Sequence, residues 1–173
     1  ADDFAFKANS FEVQTGSKID LNGTELVLDA DADSSITADT DDQIDFNTGG
    51  TDRFQITTAN AKFNVGAYNA EATLTDASTI SWDVSTSPVA KVTLGANRTL
   101  GAGTNAQAGQ FVSLLIIQDG TGSRTVTFNA AYEFKDDTAP TLTTTAAKGD
   151  LFVFRYNGSK FLEVGRNQNL TLS

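Results

Sequence analysis

The amino-acid sequence predicts an all-β protein in two parts, a repetitive acidic stem of short strands at residues 1–66 and a β-sandwich head at residues 67–173. In the stem, apolar residues two positions apart return after short polar gaps. In the head, longer segments alternate between apolar and polar residues. Side chains two positions apart point to the same side of a strand, so both patterns indicate strands with one buried face. Turn-forming residues separate these segments, and only two prolines occur.

The stem pattern consists of apolar pairs and one single residue: Phe4/Phe6, Phe11/Val13, Ile19/Leu21, Leu26/Leu28, Ile36, Ile44/Phe46, Phe54/Ile56 and Phe63/Val65. Strands this short bury too little apolar surface to offset an ordering entropy of about 1–2 kcal/mol per residue. They therefore need neighbours of the same kind. We expect a trimeric stem of the β-helix or β-prism type, in which three chains share one core. A single-chain solenoid or sheet and an ordinary meander fit the same pairs.

The head pattern predicts a jelly-roll-like β-sandwich. Its predicted strands are Ala72–Thr75, Thr79–Val84, Val89–Leu94, Gly109–Gln118, Ser123–Phe128, Leu151–Tyr156 and Lys160–Val164. Gly109–Gln118 is the most hydrophobic of them and is expected to be central. Trp82 is in phase with Ile80 and Val84, which predicts a core residue.

Turn residues predict how the head strands connect. Asp119–Gly122 is expected to close a hairpin into the strand ending at Phe128, and the Asn157-Gly158 turn is expected to close the last hairpin. Residues 130–149 are predicted to be a surface excursion that carries a short strand at Tyr132–Phe134. The spacing of Leu170 and Leu172 suggests one more short strand.

Composition limits the functions open to the chain. Residues 1–66 carry thirteen Asp and Glu against four Lys and Arg, and the whole chain has a net charge of −10. Binding to nucleic acid or to an anionic membrane through a basic patch is therefore not expected. The sequence contains no Cys and no His. This removes the Ser-His-Asp and Cys-His arrangements and every zinc site built on His or Cys, so we expect neither an enzyme nor a cofactor.

Targeting and membrane segments are not recognisable. The longest apolar run, Phe111–Ile117, is interrupted by Ser113 and is far shorter than the roughly 20 residues of a membrane-spanning helix. Membrane insertion is therefore not expected. The absence of Met is expected of a fragment, a processed product or part of a longer chain.

Several segments of the head resemble a known domain. Leu74–Asp76, Ile80–Asp83, Val92–Leu100 and Gln118–Arg124 resemble the carboxy-terminal domain that recurs in tail fibres of tailed bacteriophages. The stretch Leu26–Ile56 is similar to the repeat units that precede that domain in phage fibres. The resemblance implies an all-β homotrimer with a slender stem and a globular head. Fibres, spikes and head decorations share such modules, so the resemblance leaves the attachment point on the virion open.

Two acidic clusters are candidate sites in the stem. Asp29, Asp31 and Asp33 alternate along the chain and could converge on a divalent cation, as in calcium loops, although the remaining positions of an EF-hand loop are absent. A solvated acidic turn is the alternative. The second cluster consists of Asp39, Asp41, Asp42 and Asp45. Nothing nearby supplies a buried pocket that would separate two carboxyl pKa values, so no catalytic residue is predicted.

The candidate receptor contacts lie in the excursion of the head. Tyr132, Lys135, Asp136 and Asp137 fall where loops on a rigid sandwich often carry recognition, although Tyr132 alternates with Phe134 and would then be packed. Arg98 and Arg124 follow turns and are candidates for pairing with carboxylates across a trimer interface.

Three functions follow from these observations. The first is a structural virion protein of a tailed phage, a homotrimeric fibre or spike on the virion surface that contacts other tail or capsid proteins and a host surface glycan or protein. The alternative is a capsid decoration or cement protein that stabilises the capsid. The third is an enzyme that degrades surface polysaccharide.

Overall fold

The computed structural model describes residues 25–38 and 40–172. The chain divides into two compact units, Ala1–Ala67 and Tyr68–Ser173. The described residues form β-strands and one short 3-10 helix, Lys135–Asp137, with no α-helix among them. The predicted all-β class is confirmed. The pairs Phe4/Phe6, Phe11/Val13 and Ile19/Leu21 lie outside the described residues.

The described part of the first unit is one antiparallel sheet. Its strands are β1 (Leu26–Val27), β2 (Ser35–Thr37), β3 (Gln43–Thr48), β4 (Thr51–Thr57) and β5 (Ala61–Phe63), hydrogen-bonded in sequence order. The β3–β4 turn contains Gly49 and Gly50, both at positive φ, as a two-residue hairpin loop requires. Within one chain, the predicted short strands thus form a meander.

The second unit contains two sheets. Its strands are β6 (Ala72–Thr73), β7 (Thr79–Asp83), β8 (Val89–Leu94), β9 (Arg98–Thr104), β10 (Phe111–Gln118), β11 (Val126–Phe128), β12 (Tyr132–Glu133), β13 (Lys148–Tyr156) and β14 (Phe161–Thr171). The six-stranded sheet has the order β12-β14-β13-β10-β8-β6, and the three-stranded sheet has the order β11-β9-β7. As predicted, β10 is central, between β13 and β8.

One hydrophobic core joins the two sheets. It contains Ile80, Trp82 and Leu100 from the three-stranded sheet and residues such as Leu114 and Phe152 from the six-stranded sheet. Trp82 is 1% exposed, so its predicted core position is confirmed. Its indole Nε1 donates a hydrogen bond of 2.7 Å to the Ser87 carbonyl, which satisfies the one polar group that burial of the ring would otherwise leave unpaired.

The path of the chain differs from the predicted jelly roll. From β6 to β11, successive strands alternate between the two sheets, and strands of the same sheet pair in parallel: β6 with β8, β8 with β10, β7 with β9, and β9 with β11. A jelly roll is built from antiparallel strands. This segment instead coils, with the two sheets as its sides. The alternating apolar pattern is the same for either arrangement, because it reports the buried face and not the partner strand.

The predicted hairpin at Asp119–Gly122 is wrong for the same reason. The strand that follows the turn, β11, pairs with β9 in the other sheet, so the turn carries the chain from one sheet to the other. The last hairpin is confirmed, because β13 and β14 pair antiparallel around Asn157 and Gly158. Leu170 does not begin a separate strand, since β14 continues to Thr171.

Among the described residues, no helix has the length and apolarity that crossing a membrane requires.

Candidate functional site

The first unit carries an exposed apolar face. Cross-strand register places one row of apolar residues across all five strands: Leu26, Ile36, Phe46, Phe54 and Phe63. The rings of Phe46 and Phe54 lie 5.6 Å apart and those of Phe54 and Phe63 lie 4.8 Å apart. Phe63 is nevertheless 59% exposed. Ile44 and Ile56 pair on the same face and are also exposed.

The opposite face of this sheet is polar and better covered. Asp45 is 2% exposed, and its carboxylate accepts hydrogen bonds from the side-chain amides of Gln43, at 2.8 Å, and Gln55, at 2.7 Å. The other buried residue is Ser35. No apolar side chain is buried among the described residues of the first unit. The apolar side of this sheet is therefore exposed, and its hydrogen-bonded polar side is better covered.

The loop between β1 and β2 holds the predicted cation ligands. One carboxylate oxygen from each of Asp29, Asp31 and Asp33 lies within 4.8 Å of the others, and all three residues are exposed. Hydrogen bonding from the Ser34 side chain lowers the pKa of Asp29. The structure thus brings the three carboxylates together, although Ca²⁺ takes 6–8 oxygen ligands. A cation site here remains a prediction.

The second acidic cluster is divided. Asp39 lies outside the described residues, and Asp45 is on the covered polar face. Asp41 and Asp42 line an open groove of about 460 Å³ whose other residues include Ile44 and Ile56. The groove is therefore continuous with the exposed apolar face.

The predicted receptor contacts in the second unit are also divided. Tyr132 is 5% exposed, its hydroxyl donates a hydrogen bond of 3.1 Å to the Gly101 carbonyl, and burial raises the pKa of Tyr132. Lys135, Asp136 and Asp137 are exposed in the 3-10 helix. Of the four predicted receptor contacts, these three are the ones exposed to a ligand, and their role stays a prediction.

Asp137 belongs to a small ionic cluster beside the 3-10 helix. Glu133 forms an ion pair with Lys160, and this hydrogen bond lowers the pKa of Glu133. A hydrogen bond with Glu133 raises the pKa of Asp137. The excursion is therefore held to the start of β14 by charge pairing at the surface.

The segments that carry the resemblance have structural roles. Arg98 donates from Nε at 2.6 Å and from Nη2 at 2.7 Å to the two oxygens of Asp76, and Asp76 also accepts from the Gly95 amide at 3.0 Å. Arg124 donates to Asp119 in the same loop. Both arginines thus pair within their own chain, which corrects the expectation that they pair across a trimer interface.

A further apolar surface was missed by sequence reasoning. The outer face of the six-stranded sheet, away from the core, carries Val89, Leu115, Leu151 and Val153 in adjacent positions of β8, β10 and β13. These residues alternate with core residues, so β10 and β13 read as nearly continuous apolar runs. The continuous apolar runs were the sequence signal for this second apolar face, because a strand with only one buried face alternates cleanly between apolar and polar residues.

The comparisons with known proteins bear on the second unit. No curated protein matches the chain. Residues 80–160 match the family model described as "Putative phage tail fibre C-terminal domain". The matched segment extends from Ile80 in β7 to Lys160, immediately before β14, and includes Arg98 and Arg124. The predicted resemblance is therefore confirmed: this segment of the second unit is similar to the C-terminal domain of phage tail fibres, which supports a phage tail fibre protein.

Proposed function

We propose that this protein is a homotrimeric fibre that projects from the virion and attaches it to the host surface, with the first unit as the stem and the second as the head. The proposal assigns the chain no catalytic activity. It places the shared core of the trimer at the exposed apolar face of the first unit.

The observation that carries the proposal is the absence of buried apolar side chains in the described part of the first unit. The row from Leu26 to Phe63 crosses five strands and remains accessible to water. Full burial of a large apolar side chain contributes about 1.5–3 kcal/mol. Three such faces turned towards a common axis would supply the core that one sheet lacks, which supports a stem of the β-prism type.

Attachment is assigned to the head for two reasons. The family match lies in the second unit, and its exposed loops, including Lys135–Asp137, are held on a rigid core. Three weak sites on one trimer reinforce each other through avidity, so no deep pocket is required. The expected ligand is a host surface glycan or protein.

The trimer is tested by the mass of the whole chain in solution, measured by light scattering after size exclusion. We expect a mass near 55 kDa, three times the chain mass of 18.3 kDa. The variant Phe54→Asp places a charge in the apolar row and should reduce the trimer fraction. Lys62→Asp is the control, because Lys62 pairs with Gln55 on the opposite face. A folded wild-type monomer would contradict the proposal.

Attachment is tested by competition. Purified protein added to host cells should reduce adsorption of the phage that carries it, in proportion to the sites occupied. If adsorption is unchanged and the protein instead binds and stabilises capsids, the capsid decoration alternative is correct. Loss of viscosity of host polysaccharide on addition of the protein would favour the enzyme alternative.

A further inference from the structure

The two sheets of the second unit have outer faces of different character. On the three-stranded sheet, Thr79, Thr99 and Thr127 form one cross-strand row. On the six-stranded sheet, Leu115 pairs with Leu151, and Ser113 lies between Val89 and Val153. Both inner faces contribute to the same core, so the core does not account for the difference. A threonine face is suited to water, whereas a face of Leu and Val is suited to protein.

Charge on the apolar outer face is compatible with a second copy of the chain. The outward residues of β8, β10 and β13 include two cations, Lys91 and Arg155, and no carboxylate. Lys91 is paired with Glu71 at 2.6 Å. Copies of a chain with a net charge of −10 repel each other, and on these three strands the outward residues add no further negative charge, while the nearby Glu71 carboxylate is paired with Lys91.

The apolar outer face also has grooves that a packed neighbour can fill. Val153 lies between two open grooves of about 240 and 230 Å³. Ser113 lines the first groove and Gly165 lines the second, so small residues alternate with the ridge that Val153 forms. Phe111 borders the first groove and is 58% exposed. Ridges beside grooves are the geometry by which sheet faces interdigitate.

The size of the face indicates how strong the contact is. The three strands β8, β10 and β13, spaced about 4.8 Å apart and each about six residues long at 3.3 Å per residue, give an area of about 300 Å². A stable interface buries about 800 Å² per partner. Alone, this face is too small to hold two free proteins together. It suffices when a stem already keeps the copies at high effective concentration.

We propose that the outer face of the six-stranded sheet, centred on Leu115, Leu151 and Val153, is where the three second units of one trimer contact each other. The inference rests on the proposed trimer and goes beyond it, because it makes the head a second point of subunit contact. It also leaves the threonine face and the loops at Lys135–Asp137 as the surface that a host ligand can reach.

Single cysteines test the contact, since the chain has none of its own. Ser113→Cys, in the 173-residue chain treated with a short bis-maleimide, should give a covalent dimer near 37 kDa, twice the chain mass of 18.3 kDa. Thr127→Cys, in the middle of β11 on the threonine face, is the matched control. We expect about fivefold more cross-linked product from Ser113→Cys at the same protein concentration.

A second reporter and the mass measurement separate the outcomes. Val89→Cys, which pairs with Ser113 in the sheet, should cross-link as well. A trimeric mass with equal or no cross-linking at Ser113, Val89 and Thr127 would overturn this contact while leaving the trimer intact. A monomeric mass would overturn the trimer and this inference together. Thermal unfolding of each variant, compared with wild type, verifies that the second unit remains folded.

Discussion

Gly122 shows how closely a loop of the second unit is packed. Its φ is +76°, and a Cβ added there would lie 2.4 Å from the Thr144 carbonyl oxygen and 2.8 Å from the Ala146 nitrogen. Both are backbone atoms, so no side chain can move aside. We predict that Gly122→Ala lowers the free energy of unfolding by about 2–4 kcal/mol, from the strained φ and the steric overlap. Urea unfolding measures this.

Gly120 provides the control for this substitution. It lies in the same loop, and an added Cβ would meet nothing within 4 Å. Gly120→Ala should change the free energy of unfolding by less than about 1 kcal/mol. Equal losses from the two variants would show that the loop, and not the packing at Gly122, limits stability.

The Asp76–Arg98 ion pair predicts a dependence of stability on pH. Hydrogen bonding from Arg98 lowers the pKa of Asp76 below its ordinary value of 3.8. Because the folded-state pKa is depressed, the pair stabilises the fold above about pH 4 and loses this effect as the pH falls through the folded-state pKa. Asp76→Asn should therefore have a lower Tm at pH 7, and the Tm difference from wild type should shrink below pH 4.

Thermal unfolding of both proteins from about pH 7 to about pH 2.5 measures this difference. Asp83 and Asp119 also have lowered pKa values, but both are present in both proteins, so their contributions cancel. A Tm difference that is constant over the whole range would contradict a charge effect and indicate a packing effect instead.

For single residues, the sequence predicted well which side chains face the core, but it predicted poorly which residues they contact. Trp82 was placed in the core because its phase with Ile80 and Val84 is a local property. The partner of Arg98 could not be inferred, since Asp76 lies 22 positions away in another loop. From the sequence alone, Tyr132 could be either a packed core residue or a receptor contact. Its hydrogen bond to Gly101 explains why it points inward.

Among the elements, β9 is the strand that sequence patterning did not reveal. It contains Gly101 and Gly103, which weaken the strand signal. The structure explains Gly103, because an added Cβ would lie 2.6 Å from the ring of Phe161. The glycine thus makes room for a buried aromatic ring of the other sheet.

We predict that Gly103→Ala lowers the free energy of unfolding by about 1–3 kcal/mol, because Phe161 must shift within a close-packed core. Chemical unfolding measures the loss. Gly165→Ala in β14 is the control, since a Cβ at Gly165 meets no atom within 4 Å. A Gly103→Ala variant as stable as wild type would mean that the ring relaxes without cost.

The order of the strands within the two sheets of the second unit could not be predicted from the sequence, for a physical reason. Alternation specifies which side of each strand is apolar, and strands β7 and β8 alternate as predicted. Their assignment to alternate sheets depends on crossovers between sheets, which carry no periodic signal. Only the β13–β14 hairpin was identified with its partner, because Asn157 and Gly158 encode a local turn.

For the whole molecule, the distribution of the core predicts which part folds alone. Every buried apolar side chain among the described residues lies in the second unit. We predict that residues 68–173 unfold cooperatively on heating, whereas residues 1–67 show no cooperative transition while they are monomeric. Circular dichroism during a thermal scan distinguishes the two. A cooperative transition of a monomeric 1–67 fragment would contradict the need for a shared core.

The association of chains depends on which surface covers the exposed apolar face of the first unit. The apolar pairs predicted that the stem strands need neighbours, and the exposed row from Leu26 to Phe63 is consistent with that need. Neither identifies the neighbour, because an apolar face is equally satisfied by any apolar surface. The mass in solution measures how many chains associate.

The parallel pairing in the second unit has a consequence for the order of events during folding. Thr79 pairs with Thr99, and Arg98 pairs with Val126, so these contacts close long segments of chain. The strands β1 to β5, which are those described in the first unit, pair only with their sequence neighbours. Local pairings form faster than distant ones, and the first unit is also synthesised first. The apolar residues of the first unit are therefore accessible to other chains while the second unit is still folding, and newly made chains are most prone to aggregation during that interval.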